Sequence, residues 1–155
     1  MYKKILVPLD GSELAECVFP HLDVITGGGG VESIILLRVV KPFYPIGDYF
    51  DNSVSMVDIA SINSYAETAA KDYLKKTAEK IKYPGIRTEW EVLKGNEAEN
   101  IAEYAKKNEI DLIIIATHGR SGVSRWVMGS VADRVMRTAC SPVLMVRPPG
   151  CVPGF

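Results

Sequence analysis

The run Asp111 to Ser130, DLIIIATHGRSGVSRWVMGS, decides how this sequence is read. Leu112 to Ala116 is a short unbroken apolar stretch, the mark of a strand buried on both faces. It stops at Thr117-His118-Gly119, crosses a basic loop and reaches Gly129-Ser130, where helical spacing begins. A strand, a loop and a helix start in that order set unpaired backbone N–H groups and a positive partial charge beside glycines that allow close approach. Such a turn suits an anion, and phosphate above all. Five of the seven arginines (Arg120, Arg125, Arg134, Arg137, Arg147) also follow position 117, where Asp133 is the only acid.

Outward from that run, residues 130 to 139 read as a helix with Ser130 as its N-cap, and 143 to 146 as a last strand before a loose tail at 148–155. At the other end of the chain, KKILVPL (3–9) is a short apolar strand halted by Asp10-Gly11-Ser12. Ser12 caps a helix carrying Leu14, Val18, Leu22 and Ile25, in which Pro20 predicts an interruption and a kink. Val31 to Val40 is a second strand, and 42 to 58, with its prolines and aromatics, an ordered flap. A long amphipathic helix over 54–83 follows, with Ile59, Ile62, Ala66, Ala69, Tyr73, Ala78 and Ile81 on one face. Ile86 to Leu93 alternates apolar and charged residues, as an edge strand does. Asn96 and Glu99 resemble a capping box for the next helix.

Five strands alternating with four helices predict an α/β fold: one domain, residues 1–147, built on an open parallel five-stranded sheet doubly wound with helices on both faces. Ligands in such sheets bind at the carboxyl ends of the strands, where the strand order reverses. Pro8-Leu9-Asp10-Gly11 and Ala116-Thr117-His118-Gly119 are the two unusual turns that end strands one and four.

Composition narrows the function. Among 155 residues, 18 basic and 19 acidic side chains leave a net charge of −1, so no global field draws in nucleic acid or an anionic membrane. No apolar run approaches the roughly 18 residues of a membrane span, and ILVPL is followed at once by Asp10 without a small-residue cleavage site. Three cysteines without metal-like spacing (Cys17, Cys140, Cys151) point to a reduced, cytoplasmic setting. The lysine-bearing phosphate loop GxxxxGK[ST] and the dinucleotide fingerprint GxGxxG are both absent. A phosphate-accepting receiver domain needs a carboxylate where this chain has Lys94-Gly95.

KKILVPLDGS, ILLRVV, THGRSG, GSVADRV and SPVLMVRP, in that order, resemble the universal stress protein family, whose nucleotide-binding members carry Gly, two residues, Gly, nine residues, then Gly-Ser or Gly-Thr. Here Gly119 and Gly129-Ser130 match, and Ala116 stands where the first glycine would be. The resemblance covers nearly the whole chain except the flap and the tail. It implies a Rossmann-like, adenine-nucleotide-binding sheet of strand order 3-2-1-4-5.

Carried onto this sequence, the resemblance implies that Pro8, Leu9 and Asp10 floor an adenosine site, with Asp10 accepting from ribose hydroxyls. Val39 packs on the adenine, Ile115 and Ala116 line its other side, and Gly119, Gly129, Ser130 and Val131 hold the phosphates. His118 and Arg120 lie beside those phosphates as further donors. The cofactor implied is ATP or ADP, with Mg²⁺ arriving on the phosphates and no metal held by the protein alone. Asp10 equally suits a turn that caps local amides. No nucleophile, base and orienting group are evident together, so no catalytic residue is assigned. The expected function is that of a stress-response regulator acting on an unidentified protein partner, as a homodimer joined through the unguarded last strand (Val143, Leu144, Met145, Val146). The alternatives are an interaction module in which Ala116 marks lost nucleotide binding, and a slow ATPase.

Overall fold

The computed structural model describes residues 2–44, 56–117 and 129–149. One sheet holds five parallel strands, β1 (Lys4–Pro8), β2 (Ser33–Val40), β3 (Arg87–Lys94), β4 (Leu112–Ala116) and β5 (Val143–Val146), in the order β3-β2-β1-β4-β5. The helices are α1 (Phe19–Gly27), α2 (Met56–Lys80), α3 (Glu97–Lys107) and α4 (Ser130–Thr138). The doubly wound order 3-2-1-4-5 is therefore present, and β3 is an edge strand. None of the described helices is long and apolar enough to cross a membrane.

Strand periodicity divides the core in two. Ile5, Val7, Ile34, Leu36, Leu112 and Ile114 face one side and pack with Val18, with Leu22 of α1 and with Leu74 of α2. Leu6, Ile35, Leu37, Ile113 and Ile115 face the other, against Ala98, Ile101 and Ala105 of α3 and Ala132 and Val135 of α4. Residues of one strand going to both layers is the reason the strands read as continuous apolar runs.

Local chemistry explains where the elements start and stop, and corrects three expectations. Pro20 does not kink a helix. Ala15–Val18 forms a 3-10 turn, with the Ala15 amide donating to Ser12 Oγ at 3.2 Å, and α1 begins at Phe19 with Pro20 in its first turn. The missing proline N–H is harmless there, because first-turn amides have no helical partner. Helix α2 keeps only part of the expected stripe: Tyr73, Ala78 and Ile81 pack on the core, but the fully buried positions are their neighbours Ala70, Leu74 and Thr77, and Ile62 is 47% exposed. Ser130 is the first residue of α4 rather than its cap, and Gly129 takes the cap position without a side-chain bond. Asn96 does cap α3, its side chain accepting from the Glu99 amide at 3.3 Å.

At the far end of α3, Glu109 adopts φ 53°. The Ile110 amide donates to Ala105 O at 2.9 Å and that of Glu109 to Lys106 O at 3.4 Å, which is the paired closure of a Schellman motif with glutamate in the left-handed position. Just beyond, Asp111 Oδ2 accepts from the amides of Lys3 (2.9 Å) and Lys4 (2.8 Å), tying the start of β4 to the start of β1. These two amide bonds hold its carboxyl below the usual range.

The carboxyl ends of the same two strands are not tied. Between β1 and β2 the ladder runs as far as Pro8–Leu37, whereas between β1 and β4 it pairs only Ile5 with Leu112 and Leu6 with Ile113. The strand order reverses at this junction.

Candidate functional site

A crevice of about 560 Å³ opens where β1 and β4 part. The β1 exit contributes Pro8, Leu9 and Asp10, β2 contributes Leu37 to Val40, and β4 contributes Ile115, Ala116 and Thr117. Helix α4 enters with Gly129, Ser130, Val131 and Ala132, and α2 covers the opening with Tyr65, Ala66 and Ala69. Nine residues expected from sequence thus line one space: Pro8, Leu9, Asp10, Val39, Ile115, Ala116, Gly129, Ser130 and Val131. His118, Gly119 and Arg120, with Arg125 and Trp126, lie outside the described residues.

The Asp10 carboxylate is held by its own turn. Oδ1 accepts from the Ser12 amide at 2.9 Å and from Ser12 Oγ at 2.6 Å. The turn role and the wall position coexist, since the bonds that fix the carboxylate do so at the crevice surface. The Leu9 amide donates to Leu37 O at 2.8 Å, which locks the β1 exit against β2.

Opposite, Thr117 is buried, and its amide donates to Val146 O at 2.8 Å. The first helical rung of α4 runs from the Asp133 amide to Gly129 O at 3.0 Å, so the amides of Ser130, Val131 and Ala132 precede the ladder at the crevice. Ala116 lies in regular strand, paired with Val146 and 8% exposed. Among the described residues Glu109 is the sole non-glycine at positive φ, so the backbone at 116 makes no demand for glycine.

Sequence reading missed part of the wall. Arg38 carries its guanidinium 5.5 Å from the Tyr73 ring centroid. Its signal was available, as the one charge inside SIILLRVV. Lys41 and Glu97 pair at 3.6 Å on the rim. Tyr65, Ala66 and Ala69 had no signal beyond helical spacing. Chemically, the crevice offers apolar walls, a fixed carboxylate, a fixed guanidinium and a helix N-terminus. That is a binding inventory suited to an anion with an apolar, hydroxyl-bearing body. Among the described residues no cluster of His, Cys, Asp or Glu is grouped to hold a metal ion.

Known proteins share this fold. The universal stress protein family model matches residues 1–147. The chain belongs to the universal stress protein family. Universal stress protein MJ0531 of Methanocaldococcus jannaschii is 33% identical over 150 residues, covering 96% of this chain and 84% of its own. The solved structure of MJ0577 from the same organism matches at a TM-score of 0.77 and 27% identity, over 97% of this chain and 99% of its own. An Arabidopsis thaliana universal stress protein family protein, solved with AMP bound, shares the fold at a TM-score of 0.62 and 16% identity, over 96% and 93% of the two chains. As a universal stress protein, this chain has its crevice at the sheet's switch point, the general ligand position of doubly wound folds.

Proposed function

We propose that the crevice binds an adenine nucleotide, ATP or ADP, and that the chain is a nucleotide-responsive regulator working as a homodimer. The observation that carries this reading is the meeting of the Asp10 turn with the α4 N-terminus across the parted ends of β1 and β4. Apolar side chains and charge divide the space in the way such a ligand requires. Val39 on one side and Ile115 with Ala116 on the other flank the base, over a floor of Pro8 and Leu9. The Asp10 carboxylate accepts from the ribose hydroxyls. The amides of Ser130 and Val131 receive phosphate oxygens at the positive end of α4, with Gly129 allowing close approach. His118, Gly119 and Arg120 join from the adjoining sequence, and Mg²⁺ travels on the phosphates as a hard cation with oxygen ligands. That the same fold holds AMP in the Arabidopsis family protein supports the ligand class.

The strand conformation of Ala116 favours retained binding over a module that has lost it. Dimerisation is assigned to β5, which pairs on one side with β4 and has Val143, Leu144 and Met145 partly exposed. Calorimetric titration with ATP and with ADP at millimolar Mg²⁺ tests the nucleotide reading. Saturable binding of both is expected; no heat and no thermal shift at millimolar nucleotide would end it.

A further inference from the structure

Alternate residues of a strand share a face, so Ile34, Leu36 and Arg38 of β2 point to the α1 and α2 side of the sheet. Ile34 and Leu36 are completely buried there, and the third member of the series is an arginine. A guanidinium in an apolar register is costly unless it has a built seat. Arg38 has one. Its Cζ lies 5.5 Å from the centroid of the Tyr73 ring, and Tyr73 is itself fixed by its hydroxyl donating to Glu16 Oε1 at 2.9 Å. On the other side the guanidinium fills the space over Gly11, where an added methyl would stand 2.6 Å from Nη1.

Gly11 directly follows Asp10, so this fixed positive charge sits beside the turn that carries the crevice carboxylate. The crevice extends onto the same face, where Ala15, Ala66 and Ala69 supply small walls and Tyr65 stands at the mouth. Small side chains from two separate elements thus line the crevice together with Arg38. The binding proposed above for base, ribose and 5′-phosphates assigns Arg38 no ligand contact.

We infer that the crevice selects adenine nucleotides bearing an additional phosphate on the ribose ring, at the 2′ or 3′ position, and that Arg38 recognises it. This rests on the reading of Asp10 as the ribose ligand. One ribose hydroxyl stays with Asp10 while the phosphate on its neighbour meets the guanidinium. Five N–H donors in a planar fork let Arg38 take phosphate oxygens while keeping contacts to the protein. Dinucleotide-binding folds use an acid for a free ribose hydroxyl in one cofactor class and an arginine for the ribose phosphate in the other, and both residue types line this crevice.

The test is calorimetric titration of the full chain with 5′-AMP, adenosine 2′,5′-bisphosphate, adenosine 3′,5′-bisphosphate and ADP, the last having as many phosphates as either bisphosphate but all on the 5′ side. One bisphosphate should bind about tenfold or more tightly than 5′-AMP, the scale of one charge-assisted bond. In Arg38→Met the ratio of bisphosphate to 5′-AMP affinity should fall to near one, and in Arg38→Lys, which keeps the charge without the fork, it should be intermediate. Because the readout is a ratio, general weakening of a variant leaves it interpretable, and Arg38→Lys serves if Arg38→Met does not fold. Binding of 5′-AMP or ADP without a bisphosphate preference, or a preference that survives in Arg38→Met, overturns this inference alone. No binding by any of the four overturns the adenine-nucleotide reading and this inference with it.

Discussion

The amide of Gly129 donates to the carbonyl oxygen of Thr117 across 2.7 Å, joining the exit of β4 directly to the entrance of α4. The amide of Thr117 is bonded in turn to Val146 of β5. The N-terminus of α4 is therefore tied to the sheet by a backbone relay. Its first amides are oriented before any ligand arrives, which spares a ligand the cost of ordering them.

Asp10→Asn separates the two roles of that side chain. The amide oxygen still accepts from Ser12, so the turn and the melting temperature should change little. Ribose loses a charged acceptor, and ATP affinity should fall about tenfold, as expected for a hydrogen bond to a charged group. Calorimetric titration beside a thermal melt reads both.

Gly11→Ala meets two obstacles. Gly11 has φ 84°, and a methyl there collides with the Arg38 guanidinium. The guanidinium tip can move aside, so the backbone sets the larger part of the cost, about 1–2 kcal/mol for a Cβ in the left-handed region. Urea unfolding measures it. The displaced Arg38 should also lower affinity for the ribose-phosphorylated ligand.

Glu109→Gly should stabilise the protein. The left-handed position after α3 suits glycine, and replacing a Cβ-bearing residue there should raise unfolding free energy by roughly 0.5–1 kcal/mol. A higher urea midpoint with unchanged slope is the expected result.

Asp111→Asn should give a pH-dependent loss. The folded carboxyl is held below its unfolded value by the Lys3 and Lys4 amides. Its contribution is therefore present above the unfolded carboxylate range near pH 4 and disappears as pH falls through the lower folded value. The stability gap between wild type and variant should be constant from pH 6 to 8, at about 1 kcal/mol for the weakened pair of bonds, and should close in acid.

Leu144→Lys tests the assigned dimer. A charge on a paired edge strand opposes strand addition. Sedimentation velocity should show a shift from dimer to monomer, with the circular dichroism spectrum retained.

Much of the fold was legible because single-residue chemistry decides it. Leu112–Ala116 and Val143–Val146 were read to the residue from apolar runs bounded by turn residues. Asn96 announced α3 by its side chain. Where two residues compete for one role, reading failed by one position: Ser130 has the side chain of a cap, but Gly129 occupies the cap because its carbonyl takes the first rung from Asp133. Of the site, the two turns were visible as Asp10-Gly11 and Ala116-Thr117. The wall from α2 was not, since helical spacing put Ala66 and Ala69 on the inward face without showing that this part of the face meets the crevice, which is set by packing on strands far away in sequence. Arg38 was visible as a charge out of place, while its seat against Gly11 and Tyr73 exists only in three dimensions.

The short ladder between β1 and β4 has a mechanical side. With only two residue pairs joining them at the amino-terminal end, β1 and β4 share a seam that opens toward the crevice, with β3-β2-β1 on one side and β4-β5 on the other. A small molecule seated there touches both sides of the seam at once and acts as a removable cross-link between them. Its binding free energy is then spent against their separation. Occupancy should register as slower amide exchange along the whole seam, down to Ile5 and Leu112, well away from any atom the ligand contacts.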